Sequence, residues 1–321
     1  DTSAPAERWT FAEIETAVLR IARALSDRSL TKGDRILVRL DNTSSYAFFF
    51  FGAIAAGFVP LASSTHLTED EVNFLVTDSG ARAVALADHL PRGGLPSGID
   101  IISANDVADM IGIRGEEARV ATRDTDTLNA PTQYADTGAD DPAYMVYTSG
   151  TTANPKGVLH AQRAAWGRRP MYQGWYGISH TDRMLHAGAF NWTFTLGSGL
   201  TDPWANGATS IIFTGEKSPE IWPRLITQTG ATLFAAVPGV YRQMLKYADA
   251  NALRGMHTLR HGLMAGESPP EALFEQWQDA TGLALYEALG MSEISTYVSS
   301  APDVPRRQGA VGKPQPGRCV A

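Results

Sequence analysis

Helical periodicities and short apolar runs alternate along this chain from one end to the other. Such segments bury a sheet between layers of helices, so the alternation predicts an α/β fold with largely parallel sheets. Thr10, with Glu13 three residues on, has the form of a capping box, and the helix it opens puts Ile14, Ala17, Val18, Ile21 and Leu25 on one face. A strand is expected over 35–40, then a helix from Thr43 carrying Phe48, Phe49, Phe50 and Phe51. A third helix over 68–79 and a strand over 81–87 follow. Residues 91–141 are rich in Asp, Thr, Gly and Ala, with one apolar patch at 99–102, and read as a surface connection. Beyond it, strands are expected over 144–147, 208–213, 232–236, 259–264 and 283–289. Helices are expected over 161–173, 219–229, 240–247 and 270–281. The predicted organisation is a first α/β unit over 1–140, including the connection, and a second over 141–321.

Composition excludes several function classes. A net charge of −7 argues against a nucleic-acid binder, which needs a basic excess. The single cysteine, Cys319, rules out an internal disulfide framework and Cys-rich zinc sites, and suits a reducing compartment such as the cytoplasm. The opening Asp1-Thr2-Ser3-Ala4-Pro5 lacks the basic head and apolar core of a signal peptide. The longest apolar run, 47–61, falls short of the ~20 residues of a membrane span and contains Gly52, Gly57 and Pro60. It reads as a buried helix followed by a turn, and no membrane span is expected.

The run Thr148-Ser149-Gly150-Thr151-Thr152-Ala153-Asn154-Pro155-Lys156-Gly157 follows the apolar stretch Tyr144-Met145-Val146-Tyr147. Small residues let backbone N–H groups approach phosphate oxygens, hydroxyls donate further bonds, and a lysine adds charge. The run therefore points to a polyphosphate, but it is not a Walker A loop. Counting from Gly150, Pro155 occupies the second glycine position, and Gly157 stands where that motif has the magnesium-holding Ser or Thr.

Two further clusters follow strand patterns. In Met264-Ala265-Gly266-Glu267-Ser268, the glycine allows close backbone approach to a flat ring. In Glu287-Ala288-Leu289-Gly290-Met291-Ser292-Glu293, the last carboxylate is of the kind that holds a hard cation beside phosphates. Trp192, Phe194, Ala236, Val237, Pro238, Ala288 and Met291 are candidates for an apolar pocket, although Trp192 and Phe194 also fit plain core positions. His186 reads as structural.

Together these segments resemble the signature motifs of the adenylate-forming enzymes, a superfamily of acyl-CoA synthetases, aryl-CoA ligases, luciferases and peptide-synthetase adenylation domains. The phosphate run resembles their Ser/Thr-Ser-Gly-Ser/Thr-Thr-Gly-x-Pro-Lys-Gly pattern, with Ala153 in place of a glycine. Arg8-Trp9-Thr10-Phe11, Lys32-Gly33-Asp34, Gly57-Phe58-Val59-Pro60-Leu61 and Thr77-Asp78-Ser79-Gly80 follow in the family's order, and 308–317 resembles its Gly-x-x-Gly-Lys-Pro-x-Pro-Gly loop. The resemblance implies the family's large N-terminal domain, with two largely parallel sheets flanked by helices. It implies that Thr148, Lys156, Ser292 and Glu293 act on the phosphates of ATP, with Mg2+ on Glu293. It gives Ser149, Gly150, Thr151 and Thr152 to the phosphates, and Gly266, Glu267, Ser268, Glu287, Ala288 and Leu289 to adenosine. Asn191, Trp192, Val237, Pro238, Gly290 and Met291 fall to the acyl pocket. Leu289 departs from the tyrosine that stacks on adenine in many members. Asn191 replaces the aspartate that pairs with an α-ammonium in peptide-synthetase domains, which weighs against an amino acid substrate because a buried unpaired ammonium is costly.

The implied reaction joins a small carboxylic acid to ATP, giving acyl-AMP, and then passes the acyl group to CoA. The family's ribose-binding Asp, hinge and C-terminal lysine fall beyond the motifs present, and Lys32, Lys156, Lys217, Lys246 and Lys313 do not correspond to that lysine. The chain is thus expected to be the N-terminal portion of such an enzyme, without the C-terminal domain. An adenylation domain loading a carrier protein and a non-catalytic nucleotide-binding module remain open as alternatives.

Overall fold

The computed structural model describes residues 7–112, 134–148 and 154–320. It divides into two compact units, which separate between Arg163 and Ala164.

The first unit contains, in chain order, α1 (Phe11–Ser26), β1 (Arg35–Arg39), α2 (Ser44–Ala55), β2 (Val59–Ala62), α3 (Glu69–Ser79), β3 (Ala83–Leu86), β4 (Asp100–Ser103), α4 (Ala104–Ile111), β5 (Pro142–Thr148) and β6 (Lys156–Ala161). The Thr10 cap forms as expected: its hydroxyl accepts from Glu13 N at 3.3 Å while its own N donates to Glu13 Oε2 at 2.7 Å. The buried face of α1 is Ala17, Val18, Ile21, Ala22 and Leu25. Apolar almost all round, α2 buries Phe48, Phe49 and Phe50 inside the unit, as such a helix must. A Cβ on Gly52 would lie 2.5 Å from Ile21 Cγ2, so the glycine sets how closely α1 and α2 approach. Among the described residues no helix is long and apolar enough to cross a membrane.

The strands lie in the order β4-β3-β1-β2-β5-β6, parallel except that β6 runs antiparallel to β5. Leu61 and Ala62 of β2 pair with Met145 and Val146 of β5. That pairing corrects the expected boundary at 140/141: the segment 142–161 completes the first sheet. A change in composition marks a long connection, whereas hydrogen bonding decides which sheet the next strand joins. Among its described residues, the stretch 91–141 also holds regular structure. Its apolar patch is β4, and Ser103 with Asp106 caps α4. Residues 113–133 of that stretch lie outside the described ones.

The second unit contains α5 (Ala164–Gly167), β7 (Arg183–His186), α6 (Thr193–Leu196), α7 (Asp202–Ala205), β8 (Thr209–Ile211), α8 (Ile221–Thr229), β9 (Leu233–Ala236), α9 (Pro238–Tyr247), α10 (Ala250–Arg254), β10 (His261–Met264), α11 (Glu271–Thr281), β11 (Ala284–Met291), β12 (Ser295–Ser299) and β13 (Lys313–Pro314). The helix expected over 161–173 does not form. Residue 161 ends β6, and α5 is followed by a π-turn, Tyr172–Tyr176, which buries Trp175 and Tyr176. Gly167 and Pro170 interrupt the helical pattern between them. Strand order is β13-β12-β11-β10-β9-β7-β8; β11 to β8 are parallel, and β12 and β13 form an antiparallel edge.

One face of this sheet packs on α8, α9 and α11 through Trp222, Phe234, Tyr241 and Trp277. The rings of Tyr241 and Trp277 meet edge to face at 4.9 Å. The Tyr241 hydroxyl donates to Phe234 O at 2.7 Å and accepts from Leu263 N at 3.0 Å, tying α9 to both β9 and β10. Gly262 has no side chain to displace it: a Cβ there would come within 2.7 Å of that oxygen.

Three stability predictions follow from this packing. Tyr241→Phe leaves buried backbone groups without the hydroxyl, and urea unfolding should show a loss of about 1–3 kcal/mol. Gly52→Val overpacks the α1–α2 contact and should cost roughly 1–3 kcal/mol in the same assay. Burial holds His186 at a pKa of about 3, with Lys217 adding to the shift, and lowers His261 to about 4, with Arg260 adding. The unfolded chain therefore binds protons that the folded one refuses, so stability is full above about pH 6.5 and falls as pH drops toward 4. A His186→Gln/His261→Gln double variant should lose less of its urea midpoint between pH 7 and pH 4 than the unsubstituted chain does.

Candidate functional site

In the second unit the parallel strands β7, β9, β10 and β11 end on one edge of the sheet, where open α/β sheets offer a crevice. Each of the predicted clusters of this unit follows one of these strands. Val237 and Pro238 stand between β9 and α9, with the proline in the first turn of the helix, where a missing N–H costs nothing. After β10 comes Gly266, whose φ of +101° suits glycine. Glu267 Oε1 accepts from Gly239 N at 3.1 Å in the first turn of α9, and Arg242 Nη2 lies 3.7 Å away. Glu267 thus locks the β10 loop to the start of α9, where a carboxylate also suits the helix dipole. Gly266, Glu267 and Ser268 are all exposed.

The third cluster is a hairpin. Ala288, Leu289, Gly290 and Met291 of β11 pair with β12, with an irregularity between Leu289 and Gly290, and the turn Ser292-Glu293-Ile294 closes it. A Cβ on Gly290 would stand 2.7 Å from Ser295 O, so this strand end needs glycine. Glu287 N donates to the Ser300 hydroxyl at 2.9 Å. Burial raises the pKa of the Glu287 carboxyl, Arg306 opposes the shift, and Glu271 adds to it. Ala288 is buried, Leu289, Gly290 and Met291 are exposed, and Glu293 stands exposed on the turn. Ser292 is half-buried and accepts a hydrogen bond from Thr193 Oγ1 at 3.3 Å. Thr193 directly follows Asn191-Trp192 in the chain, and that adjacency is its local signal.

Trp192 is 64% exposed and is not a core aromatic. Val237 (37%), Leu289 (46%), Met291 (49%) and Ile294 (46%) are likewise exposed, on the β9–α9 loop, the end of β11 and its turn. Apolar side chains left in water at the ends of neighbouring strands are what a pocket for an apolar ligand requires. Asn191 and Phe194 are half-buried, and Phe194 stacks on Trp175 with ring centroids 5.8 Å apart. His186 Nδ1 accepts from Gly188 N at 2.9 Å, which puts its proton on Nε2, and burial keeps the ring neutral. It is structural, as its sequence context suggested.

The phosphate run belongs to the first unit, not to the second as expected. Thr148 ends β5 and Lys156 begins β6, and the two pair directly across the antiparallel strands. Lys156 is exposed and Thr148 half-buried. A Cβ on Gly157 would come within 3.2 Å of the Tyr147 ring, whose hydroxyl donates to Asp78 at 2.6 Å. Ser149, Gly150, Thr151 and Thr152 lie outside the described residues. Among the described residues no group of three or more His, Cys, Asp or Glu side chains gathers to hold a metal. Glu293 is a single carboxylate, which suits a cation that draws its other ligands from phosphates and water.

The model of the family described as AMP-binding enzyme matches residues 2–320. The chain is 28% identical to a 3-hydroxybenzoate–CoA ligase of Aromatoleum sp. (strain CIB), over 96% of this chain and 58% of that one. It is 31% identical to a benzoate–CoA ligase of Thauera aromatica, over 96% and 58%. A crystal structure of a benzoate CoA ligase from Burkholderia xenovorans LB400 superposes with a TM-score of 0.83 at 26% identity, covering 96% of this chain and 61% of that one. The chain thus spans about three-fifths of the length of these relatives. A family match that runs through both units and every cluster described above places the chain among the AMP-binding enzymes.

Proposed function

We propose that this chain supplies the nucleotide- and acid-binding surface of an acyl- or aryl-CoA synthetase. In the proposed reaction a carboxylate oxygen attacks the α-phosphorus of ATP, the bond to the β-phosphate oxygen breaks, and acyl-AMP and pyrophosphate form. The thiol sulfur of CoA then attacks the acyl carbon and AMP leaves with the bonding electrons. The observation that carries this reading is the β11–β12 turn, which presents Ser292 and Glu293 beside Thr193 among exposed Trp192, Leu289 and Met291. Phosphate-facing polar groups and an apolar surface on one set of loops suit an acid that must meet a nucleotide.

Each residue has a definite part. Lys156 and the hydroxyls and amides of 148–152 offset negative charge on the phosphates, which otherwise repel the incoming carboxylate. Ser292 donates to the α-phosphate. Glu293 holds Mg2+, which when bound screens charge developing on the pyrophosphate. Gly266 and Ala288 bring little bulk to the nucleoside side, and Leu289 offers it an aliphatic contact. Glu267 acts there by holding the β10 loop to α9. The names of the relatives, ligases of benzoate and hydroxybenzoate, favour an aromatic acid, and Trp192 and Met291 are suitable walls for a flat ring. Asn191 is neutral, which disfavours an α-amino acid.

Mass spectrometry after incubation of the protein with MgATP and a panel of aromatic and aliphatic acids should show acyl-AMP, with aromatic acids foremost. Absence of any adenylate across the panel would count against the reading. In ATP–pyrophosphate exchange driven by the best acid, Glu293→Gln should lower the rate by about 10²–10³-fold. An unchanged rate would remove the magnesium assignment. CoA thioester formation without any carrier protein separates this reading from a carrier-loading enzyme.

A further inference from the structure

Behind the β11–β12 hairpin lies a charged network that the chemistry above does not use. Arg168, just beyond α5, is 6% exposed, and Asp202, at the start of α7, is 0% exposed. Arg168 Nε donates to Asp202 Oδ1 at 2.7 Å and Nη2 to Oδ2 at 2.6 Å, the two-pronged geometry that fixes a guanidinium plane. The Tyr176 hydroxyl donates to the same Oδ2 at 2.7 Å and lies 2.9 Å from the Ser198 hydroxyl. Gly197 leaves the slot in which the guanidinium sits, because a Cβ there would collide with it.

With its plane fixed, Arg168 has Nη1 directed at the hairpin, where it donates to the Ser295 hydroxyl. Ser295 has φ +61°, and among the described residues it alone of the non-glycines has positive φ. A left-handed serine persists only where its surroundings hold it. It is the first residue of β12, two positions after Glu293 and three after Ser292. A buried pair of this kind is weak evidence for stability, because removing two charges from water offsets their attraction. Its geometric effect is clear: Asp202 orients Arg168, Arg168 holds Ser295, and Ser295 sets the turn.

We propose that Arg168 is a positioning residue which, through Ser295, fixes how the β11–β12 turn presents Glu293 and Ser292 to a magnesium-bound nucleotide. This rests on the assignment of Glu293 to magnesium made above. The sequence offers no local sign of it, since Arg168 and Ser295 are far apart in the chain and neither falls in a motif that describes the other.

Arg168→Met risks misfolding, so the test uses Ser295→Ala and Ser295→Gly, which cut the tether and leave the Arg168–Asp202 pair in place. Calorimetric titration of the chain with ATP, in excess Mg2+ and again in EDTA, reads the effect without requiring turnover. Both variants should bind MgATP about tenfold more weakly and bind ATP in EDTA as the unsubstituted chain does. Ser295→Gly accepts a left-handed backbone, so if it alone kept full MgATP affinity, the hydroxyl tether would not be needed and the proposal would fail. Unchanged MgATP affinity in both variants, or equal weakening with and without Mg2+, also overturns it. Glu293→Gln in the same titration separates the two levels. If Glu293→Gln leaves MgATP binding intact, the magnesium assignment falls and the proposal with it. If Glu293→Gln weakens binding while both Ser295 variants do not, only the positioning role falls.

Discussion

Because β7, β9, β10 and β11 run parallel, their carboxyl ends emerge on one edge of the second sheet, and the loops that follow have to share that edge. Almost everything of chemical interest in this unit depends on that pairing. It brings Val237, Gly266 and Gly290 onto neighbouring loops although long helical crossovers separate them in the chain. Tyr241 shows how the pairing is secured from below, with one hydroxyl bonded to the backbone of both β9 and β10. At the end of β11 the pattern changes: the chain reverses into an antiparallel hairpin, and its turn projects Ser292 and Glu293.

Small residues and buried polar groups have separate tasks around this edge. Gly266 takes a backbone conformation that a side chain would strain, and Gly290 passes so close to β12 that no Cβ fits. Glu267 ties one loop to the first turn of α9. His186, the last residue of β7, sits at this edge as a neutral ring, and burial keeps it so. The apolar exposure of Trp192, Leu289 and Met291 is costly in water and has no role in the packing of either core. A bound ligand would account for it: in the function proposed above, Trp192 and Met291 face the acyl group and Leu289 the nucleoside.

Many elements were legible because their signals are local. The cap at Thr10, the apolar stripe of α1 and the all-apolar α2 depend on residues within a few positions of one another. The strands β1, β9 and β10 are short apolar runs bounded by polar residues, as buried parallel strands are. The misreadings come where a distant partner decides. β6 is largely exposed and lacks an apolar run, and it exists because β5 offers it an edge. β12 forms against β11, and β13 against β12, for the same reason. The unit boundary falls after Arg163 because β5 hydrogen-bonds to β2, which composition does not register.

The site divides along the same line. The sequence by itself determined the residues proposed for phosphate, cation and apolar contact: Lys156 with its hydroxyl-rich run, the Ser292-Glu293 pair, and Trp192 with Met291. Those depend on side-chain chemistry and on spacing within single loops. Only the tertiary structure decided that Thr193 meets Ser292, that Glu267 is engaged with α9, and that Ser295, just past that turn, bonds to an arginine from another segment. Contacts of this kind arise when strands and helices pack, and the free energy that selects them comes from burial and pairing between residues remote in the chain. No window of sequence contains both partners.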